Sequence, residues 1–357
     1  MIINLNTLNR IYSMLGDDIS KEIFKNRIMM SVSNNEIKWE RGNVMTNRRI
    51  KEFIAIMEEQ AKNRDIVIFG GGKRGKDLYQ IINNIPWKYF IDTNPVEKKI
   101  GTIPVIAYEN FVKNYHGECI VISSRIYRKE MERQLRRDGI TDNIFNFGNI
   151  LENMIQDQYF DLEIMRPISK NEVFVDVGCY DGMSSLNFGK WCKRDFTVYA
   201  FEPQKENFSL CKSTLENNNI SYKLIQKGAW SEETTLKFKI SMGMASQLYG
   251  KDEIEVDVTR IDKILANEKV TFIKMDIEGA ELEALIGAQN VISNNKPILA
   301  ISVYHRFEDI FSIPELILKY NPEYQFYLRH YSIRSSETVL YALPEAGIKG
   351  KNSRGAL

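Results

Sequence analysis

The sequence predicts an α/β protein built from two successive units in which strands alternate with helices, preceded by a helical segment. Apolar residues recur at helical spacing over residues 50–57. From Asp65 onward, short apolar runs alternate with helical stretches, and at Glu172 the same alternation starts again. Strands separated by helices favour a parallel sheet with crossover helices in each unit.

Composition limits the class of protein. A chain of 357 residues suggests two domains or slightly more. The 48 basic and 47 acidic residues nearly cancel, so no overall charge favours nucleic acid or a membrane surface. No apolar run approaches the roughly 18 residues of a membrane span, and the start lacks the features of a secretory signal. The four cysteines form no paired or metal-binding spacing. We therefore expect a cytoplasmic protein that acts on a small molecule, with a homo-oligomer left open.

Residues 1–64 form the predicted helical segment. Ile50, Phe53, Ile54 and Met57 fall on one face of a helix. This stripe predicts packing into a core, and a surface that binds a partner is the alternative.

The first α/β unit, residues 65–150, begins with a short strand that opens into a glycine-rich loop. The loop has the G-x-G-x-x-G spacing at Gly70, Gly72 and Gly75, and Asp92 ends the next strand. A strand, such a loop, a helix and an acidic strand end are the context of a Rossmann-like nucleotide site. Three alternatives stay open: a dinucleotide site, a site for another nucleotide such as a nucleotide-linked sugar, and a scaffold without a ligand.

The second unit spans residues 151–344, and its first residues belong to a predicted helical connection over 149–170. The segment FVDVGCYDG then repeats the pattern of a strand followed by a glycine-rich loop. A buried strand delivers Asp176, and Gly178 and Gly182 allow a sharp turn before a helix near Met183. The next strand ends in Glu202, whose carboxylate could accept hydrogen bonds from the two hydroxyls of a ribose. The motif therefore predicts a second Rossmann-like site for a nucleoside, with a structural glycine turn as the alternative.

Several segments of residues 172–344 occur in the order seen in a known family: FVDVGCYDG, FEPQKENF, KGAWSE, IKMDIEGAE, AISVYH, FYLRHYS and ETVLYALP. This part of the chain resembles the FkbM family of methyltransferases. The resemblance implies a class I fold that uses S-adenosylmethionine, and methylation of hydroxyl groups of sugars, polyketides or related small molecules.

Carried over by position, the resemblance also implies a binding set. Residues around the methionine part would be Asp176, Gly178, Tyr180 and Gly182. Glu202 would hold the ribose, and the residues along the adenine would be Lys227, Gly228 and Ala229. Tyr180 stands in place of the middle glycine of the wider methyltransferase pattern. The FkbM family commonly lacks this glycine too.

The acceptor is expected where strands end at the sheet edge. Asp276 and Glu278 follow one predicted strand and His305 follows another, and ligands of open α/β sheets gather at these ends. An alcohol is a poor nucleophile. Before its oxygen can attack the methyl group of the donor, it needs a base to take its proton or a divalent cation to lower its pKa. We predict Asp276, Glu278 and His305 as catalytic residues, with His305 the better base by intrinsic pKa. Structural roles for all three are one alternative. A divalent metal ion ligated by Asp276, Glu278 and His305 is another, although the sequence does not require it.

Three further expectations concern the end of the chain. The loop 242–248, with Ser246 and Gln247, is either a plain connection or a lid over the substrate. The last two strands lie close together in sequence and predict a C-terminal antiparallel hairpin. Residues 345–357 are polar and glycine-rich, which predicts a flexible tail.

The leading hypothesis is an O-methyltransferase that acts on a carbohydrate, a nucleotide-sugar or a glycoconjugate precursor. One alternative is an NAD-dependent sugar oxidoreductase or epimerase that uses the first unit, although that unit lacks a Tyr-x-x-x-Lys pair. The other is a non-catalytic nucleotide-binding protein that serves in assembly.

Overall fold

The computed structural model describes residues 4–33, 36–240 and 252–349. The loop 242–248, with Ser246 and Gln247, and the tail from residue 350 onward lie outside the described residues. Four helices come first: α1 (Leu5–Ser13), α2 (Asp18–Val32), α3 (Glu36–Val44) and α4 (Arg48–Gln60). This confirms the predicted N-terminal helices. The apolar stripe of α4 is buried, as core packing requires.

The next elements alternate between strand and helix. They are β1 (Ile66–Phe69), α5 (Lys73–Ile81), β2 (Trp87–Asp92), β3 (Lys99–Ile100), β4 (Ile103–Ala107), α6 (Tyr108–Lys113), β5 (Cys119–Ile122), α7 (Arg128–Arg137), β6 (Ile144–Asn146) and α8 (Phe147–Asp157). These strands form a six-stranded sheet in the order β3-β4-β2-β1-β5-β6. The five longer strands pair in parallel, and β3 is antiparallel to β4.

The remaining elements begin with β7 (Asn171–Val177), α9 (Met183–Cys192), β8 (Asp195–Phe201), α10 (Lys205–Asn217), β9 (Ser221–Ile225), β10 (Gly228–Ala229), β11 (Thr234–Ile240) and β12 (Asp252–Thr259). They continue with α11 (Ile261–Ile264), β13 (Phe272–Met275), α12 (Glu281–Ile286), α13 (Gln289–Asn295), β14 (Ile298–Ser302), α14 (Asp309–Tyr320), β15 (Gln325–His330) and β16 (Thr338–Leu343). Glu345–Gly347 then forms a short 3-10 turn.

The second sheet has seven strands in the order β15-β16-β14-β13-β7-β8-β9. Five consecutive strands of this sheet pair in parallel: β14, β13, β7, β8 and β9. Strand β16 is antiparallel to β14. The predicted fold class is therefore confirmed: two parallel α/β sheets in tandem, the second ended by an antiparallel strand. The separate three-stranded sheet β10-β12-β11 was not predicted, because strand runs in a sequence do not reveal which sheet they join.

The chain divides into two compact units. The larger consists of Met1–Phe24, Tyr159–Arg329 and Glu337–Leu357, and the smaller of Lys25–Gln158 and His330–Ser336. The segment His330–Ser336 is part of the smaller unit, where Arg334 pairs with Asp77 at 2.8 Å and with Glu40 at 2.9 Å. The domain boundaries drawn from the sequence stay predictions.

Two segments differ from expectation. The predicted helical connection over 149–170 stops at Asp157, and Tyr159 takes a left-handed backbone with φ +74°. Part of the predicted flexible tail is packed, because Ile348 is buried and bridges to Met165. Among the described residues, no helix is long and apolar enough to cross a membrane.

Candidate active site

The carboxyl ends of the parallel strands bring the predicted site residues of the larger unit to one edge of the sheet. β7 ends at Val177, β8 at Phe201 and β13 at Met275, and these strands pair in parallel with β7 in the middle. The turns that leave them carry the glycines, Glu202 and Asp276. Ligands of open α/β sheets bind at such an edge.

The turn after β7, residues 178–182, is here called the C-terminal glycine loop. Gly178 has φ +76° and Gly182 has φ +81°, a region that suits glycine. A Cβ on Gly178 would lie 2.1 Å from the carbonyl oxygen of Asp276, so the loop packs directly against the turn after β13. Tyr180 replaces a glycine and still has φ +49°, a conformation that costs energy for a bulky residue. Its side chain is 42% exposed.

Asp176 is fully buried and held by the protein itself. It accepts hydrogen bonds from the hydroxyls of Ser184 and Ser185 at 2.6 and 2.7 Å. Its other oxygen lies 3.2 Å from Nζ of Lys274, which also donates to the carbonyl of Gly178 at 2.6 Å. The side chain of Asp176 therefore holds the loop and the start of α9 in place, and its predicted role in the binding of the donor stays a prediction.

Lys274 was missed by the sequence analysis, although a lysine inside the apolar run of β13 was a visible signal. Burial lowers the pKa of its ammonium, but the charges of Asp176 and Asp276 outweigh burial and raise it. Lys274 is therefore a charged lysine at the centre of the sheet.

Glu202 points into the turn rather than outward and is 5% exposed. Its carboxylate accepts backbone N–H bonds from Tyr180 at 3.2 Å and from Gln204 at 2.9 Å. Burial raises the pKa of Glu202, and the two N–H donors oppose this rise. Each oxygen still has capacity for a further hydrogen bond.

Lys227, Gly228 and Ala229 follow the end of β9, beside Glu202. The amide of Glu202 donates to the carbonyl of Ile225 at 3.1 Å, which fixes this neighbourhood. Gly228 and Ala229 also form β10, which pairs in parallel with β12. Gly228 and Ala229 therefore belong to the small sheet, and all three residues follow the end of β9. Their contact with an adenine stays a prediction.

Four titratable side chains meet at the ends of β13 and β14, here called the acid–histidine cluster: Asp276, Glu278, Glu281 and His305. Nε2 of His305 lies 3.4 Å from Oδ1 of Asp276 and 3.5 Å from Oε2 of Glu278. Its Nδ1 lies 2.9 Å from Oε1 of Glu281. The structure therefore brings together the three residues predicted as catalytic and adds a fourth.

The charges around His305 change its expected chemistry. Burial disfavours the imidazolium, but contact with Glu281 and the charges of the other two carboxylates outweigh burial and raise the pKa of His305 to about 9. A group with this pKa holds its proton at neutral pH, and the role of His305 as the base stays a prediction. Burial also raises the pKa of Glu278. Asp276 is partly exposed, with 24% of its side chain accessible to solvent.

Sequence reasoning missed three contacts of this cluster. Tyr159 donates to Oδ2 of Asp276 at 2.6 Å and Tyr304 donates to its Oδ1 at 3.4 Å. Glu281 is fully buried and accepts from the amide of Ile277 at 2.8 Å. Glu281 and Tyr304 lie inside segments already singled out, whereas nothing in the sequence around Tyr159 indicated a partner 117 positions away.

The predicted glycine loop of the smaller unit, residues 70–75, is here called the N-terminal glycine loop. Gly70 has φ +105°, Gly72 precedes α5, and a Cβ on Gly75 would lie 1.9 Å from the carbonyl oxygen of Gly70. Asp92 accepts the amide of Gly71 at 2.7 Å. A cavity of about 320 Å³ lies beside this loop, lined in part by Gly71, Gly72, Lys76 and Asp92. The four predicted residues are therefore brought together.

A comparison with known protein families gives a match within the larger unit. The methyltransferase FkbM domain matches residues 176–328. This segment is therefore similar to the FkbM methyltransferases. The match includes the C-terminal glycine loop, Glu202 and the acid–histidine cluster.

Individual proteins are similar to parts or most of the chain. Methyltransferase 1 of Beauveria bassiana (strain ARSEF 2860) is 29% identical over a match that covers 34% of this chain and 60% of that protein. The chain thus spans 60% of the length of this curated relative. The FkbM methyltransferase of Methylobacillus flagellatus KT is 22% identical, covering 91% of this chain and 99% of that one, with a TM-score of 0.47. Fibrillarin of Aeropyrum pernix, solved with bound S-adenosyl-L-methionine, is 8% identical over 55% of this chain and 76% of that one, with a TM-score of 0.36.

Proposed function

We propose that the FkbM domain is an S-adenosylmethionine-dependent O-methyltransferase that acts on a hydroxyl of a carbohydrate, a nucleotide-sugar or a glycoconjugate precursor. The observation that carries the proposal is the position of Glu202. Its buried carboxylate lies against the C-terminal glycine loop, and that loop packs directly on the turn that carries Asp276. A nucleoside site and an acidic acceptor site are thereby adjacent.

The residues at this edge fit the proposed methyl donor. Glu202 is oriented by two backbone N–H groups and keeps acceptor capacity for a ribose diol. Gly178 and Gly182 give the loop its left-handed turns, and the absence of a Cβ on Gly178 lets the loop pack closely against the turn that carries Asp276. Tyr180 and Met183 expose 42% and 45% of their surface beside it, which offers apolar area to a nucleoside. When bound, S-adenosylmethionine supplies an activated methyl group on a sulfonium.

On the acceptor side, Asp276 is the group that we propose to take the hydroxyl proton. Its side chain is partly exposed, and Tyr159 and Tyr304 fix its orientation through hydrogen bonds at 2.6 and 3.4 Å. When no metal ion is bound, the raised pKa of His305 gives its imidazole a positive charge, which offsets part of the negative charge beside Asp276. Alignment of the hydroxyl with the methyl group then supplies much of the acceleration.

The test of this proposal is calorimetry with S-adenosylhomocysteine and the Glu202→Ala variant. Loss of the hydrogen bonds to a ribose diol is expected to weaken binding at least about tenfold, because hydrogen bonds to a charged group contribute about 1.5–3 kcal/mol. Glu206→Ala, which removes an exposed carboxylate from the next helix, is the matched control and should bind as the unaltered protein does. Equal binding by the Glu202→Ala variant, or no binding by the unaltered protein, would contradict the proposed donor site.

We propose a second ligand for the smaller unit: a nucleotide, of which a nucleotide-sugar is the leading class. The cavity of about 320 Å³ beside the N-terminal glycine loop supports this, because small-molecule sites usually begin near about 300 Å³. Helix α5 begins directly after Gly72, which has no side chain to cap it, and the N-terminus of a helix suits a phosphate.

Gly72 offers a direct test, because a Cβ there meets nothing within 4 Å and its φ is −73°. Gly72→Asp should therefore fold, yet its carboxylate would repel a phosphate. We expect UDP-glucose to raise the melting temperature of the unaltered protein and of Gly72→Asn more than that of Gly72→Asp. Stabilisation by NAD instead would favour the oxidoreductase alternative, and no shift with either probe would leave this unit as a scaffold.

A further inference from the structure

We propose that the acid–histidine cluster is a binding site for one divalent transition-metal ion, with Asp276, Glu281 and His305 as ligands. One carboxylate oxygen from each acid and one ring nitrogen of His305 all lie within 4.8 Å of one another. Bonds of about 2.1 Å to a metal place adjacent donor atoms about 3.0–3.4 Å apart. A movement of about one ångström by these side chains would therefore close them around an ion.

Several buried polar atoms of the cluster have unused capacity to bind a ligand. The side chain of His305 is 7% exposed and that of Glu281 is fully buried. Nδ1 of His305 lies 2.9 Å from Oε1 of Glu281. Within residues 4–33, 36–240 and 252–349, Nε2 of His305 and Oε2 of Glu281 have no hydrogen-bond partner. Such atoms are costly to leave unsatisfied. Nε2 of His305 is nevertheless directed at Asp276 and Glu278, where a cation would satisfy it.

The surrounding charge also favours a cation. Three carboxylates lie within 3.5 Å of a ring nitrogen of one imidazole. Mutual repulsion among carboxylates this close is relieved by a bound positive ion. Glu278, at 3.5 Å from Nε2, would stand as a fourth donor or as the partner of a metal-bound water.

The donor set selects the class of metal. Imidazole suits zinc, iron and nickel, whereas carboxylates alone suit magnesium and calcium. A site with one imidazole and two or three carboxylates favours Mn²⁺, Fe²⁺ or Zn²⁺ over Mg²⁺. The role of the ion rests on the proposed function: it would bind the acceptor hydroxyl and lower its pKa, so that Asp276 or solvent removes the proton more easily.

The binding test uses the full-length protein after dialysis against a chelator, with Mn²⁺ or Zn²⁺ as the probe. We expect calorimetry to give one equivalent bound per chain, and Mn²⁺ to lose its free-ion electron paramagnetic resonance signal on binding. His305→Ala should weaken binding at least about tenfold, since loss of even an outer contact costs about 10–100-fold in metal affinity. His116→Ala, which removes an exposed histidine from the smaller unit, should bind as the unaltered protein does.

A second variant protects the test against misfolding, because His305 is buried. Asp276→Asn removes one charged ligand from a partly exposed side chain and should also weaken Mn²⁺ binding at least about tenfold. Absence of saturable binding by the unaltered protein would overturn the site, and so would binding that both variants retain. Binding of S-adenosylhomocysteine to the metal-free protein, measured in parallel, tests the proposed function separately, because Glu202 and the C-terminal glycine loop contribute no ligand to the ion.

Discussion

Lys274→Met is expected to destabilise the larger unit by about 3–5 kcal/mol, since removal of one partner from a buried ion pair leaves the other charge uncompensated. Nζ of Lys274 lies 3.2 Å from Asp176, and the two side chains are 4% and 0% exposed. The variant would also lose the hydrogen bond that Lys274 donates to Gly178. Urea unfolding followed by circular dichroism should show a lower midpoint for the variant.

Two further variants separate the buried charge from a general effect of losing a lysine. Lys263→Met removes an ammonium that pairs with Glu233 on the surface, and its midpoint should stay near that of the unaltered protein. The double variant Asp176→Asn, Lys274→Met buries no charge and should recover part of the lost stability. A Lys274→Met protein as stable as the surface variant would show that this ion pair does not hold the loop.

The parts of the site that the sequence predicted well are those fixed by local spacing. Gly178, Gly182 and Glu202 follow strands recognisable from short apolar runs, and parallel pairing brings such strand ends to one edge. The same reasoning placed Asp276 and His305 near each other, and they lie 3.4 Å apart. Local pattern and sheet geometry were sufficient for these positions.

The parts that were missed depend on contacts between distant segments. Tyr159 reaches Asp276 because the chain leaves its helical conformation after Asp157, and no nearby proline or glycine marked that point. The strand β10 joins β12 in a separate sheet, which only the tertiary structure decides. Asp176 was expected to face a ligand, yet it is held by Lys274 and two serines, because a strand pattern does not tell which partner a buried carboxylate will find.

The chemistry of His305 shows how environment alters a role read from residue type. An isolated imidazole titrates near neutral pH and suggests a base. Three carboxylates that follow β13, namely Asp276, Glu278 and Glu281, raise its pKa to about 9 instead. We therefore propose that removal of the acceptor proton rests on Asp276, or on an ion held between these groups.

Asp276→Asn is expected to reduce methyl transfer at least about 100-fold, because general bases contribute about 10²–10⁴-fold to proton-transfer steps. The amide keeps the size of the carboxylate and can still accept the hydrogen bond from Tyr159, so the fold should persist. The measurement is transfer from isotope-labelled S-adenosylmethionine to the acceptor that a panel of nucleotide-sugars and oligosaccharides identifies. Affinity for S-adenosylhomocysteine should change little, since Asp276 is not among the proposed donor-binding groups.

Asp195→Asn is the matched control, because Asp195 is exposed at the opposite end of β8 and should tolerate the same change without loss of activity. A fall in kcat with an unchanged KM would assign Asp276 to the proton-transfer step, whereas a rise in KM alone would assign it to acceptor binding. Recovery of the rate when Mn²⁺ is raised would mean that the lost function is metal affinity. A loss of rate that no metal concentration restores would mean that the carboxylate of Asp276 takes the proton of the acceptor. An Asp276→Asn enzyme as active as the control would rule out both the base and the metal-ligand role.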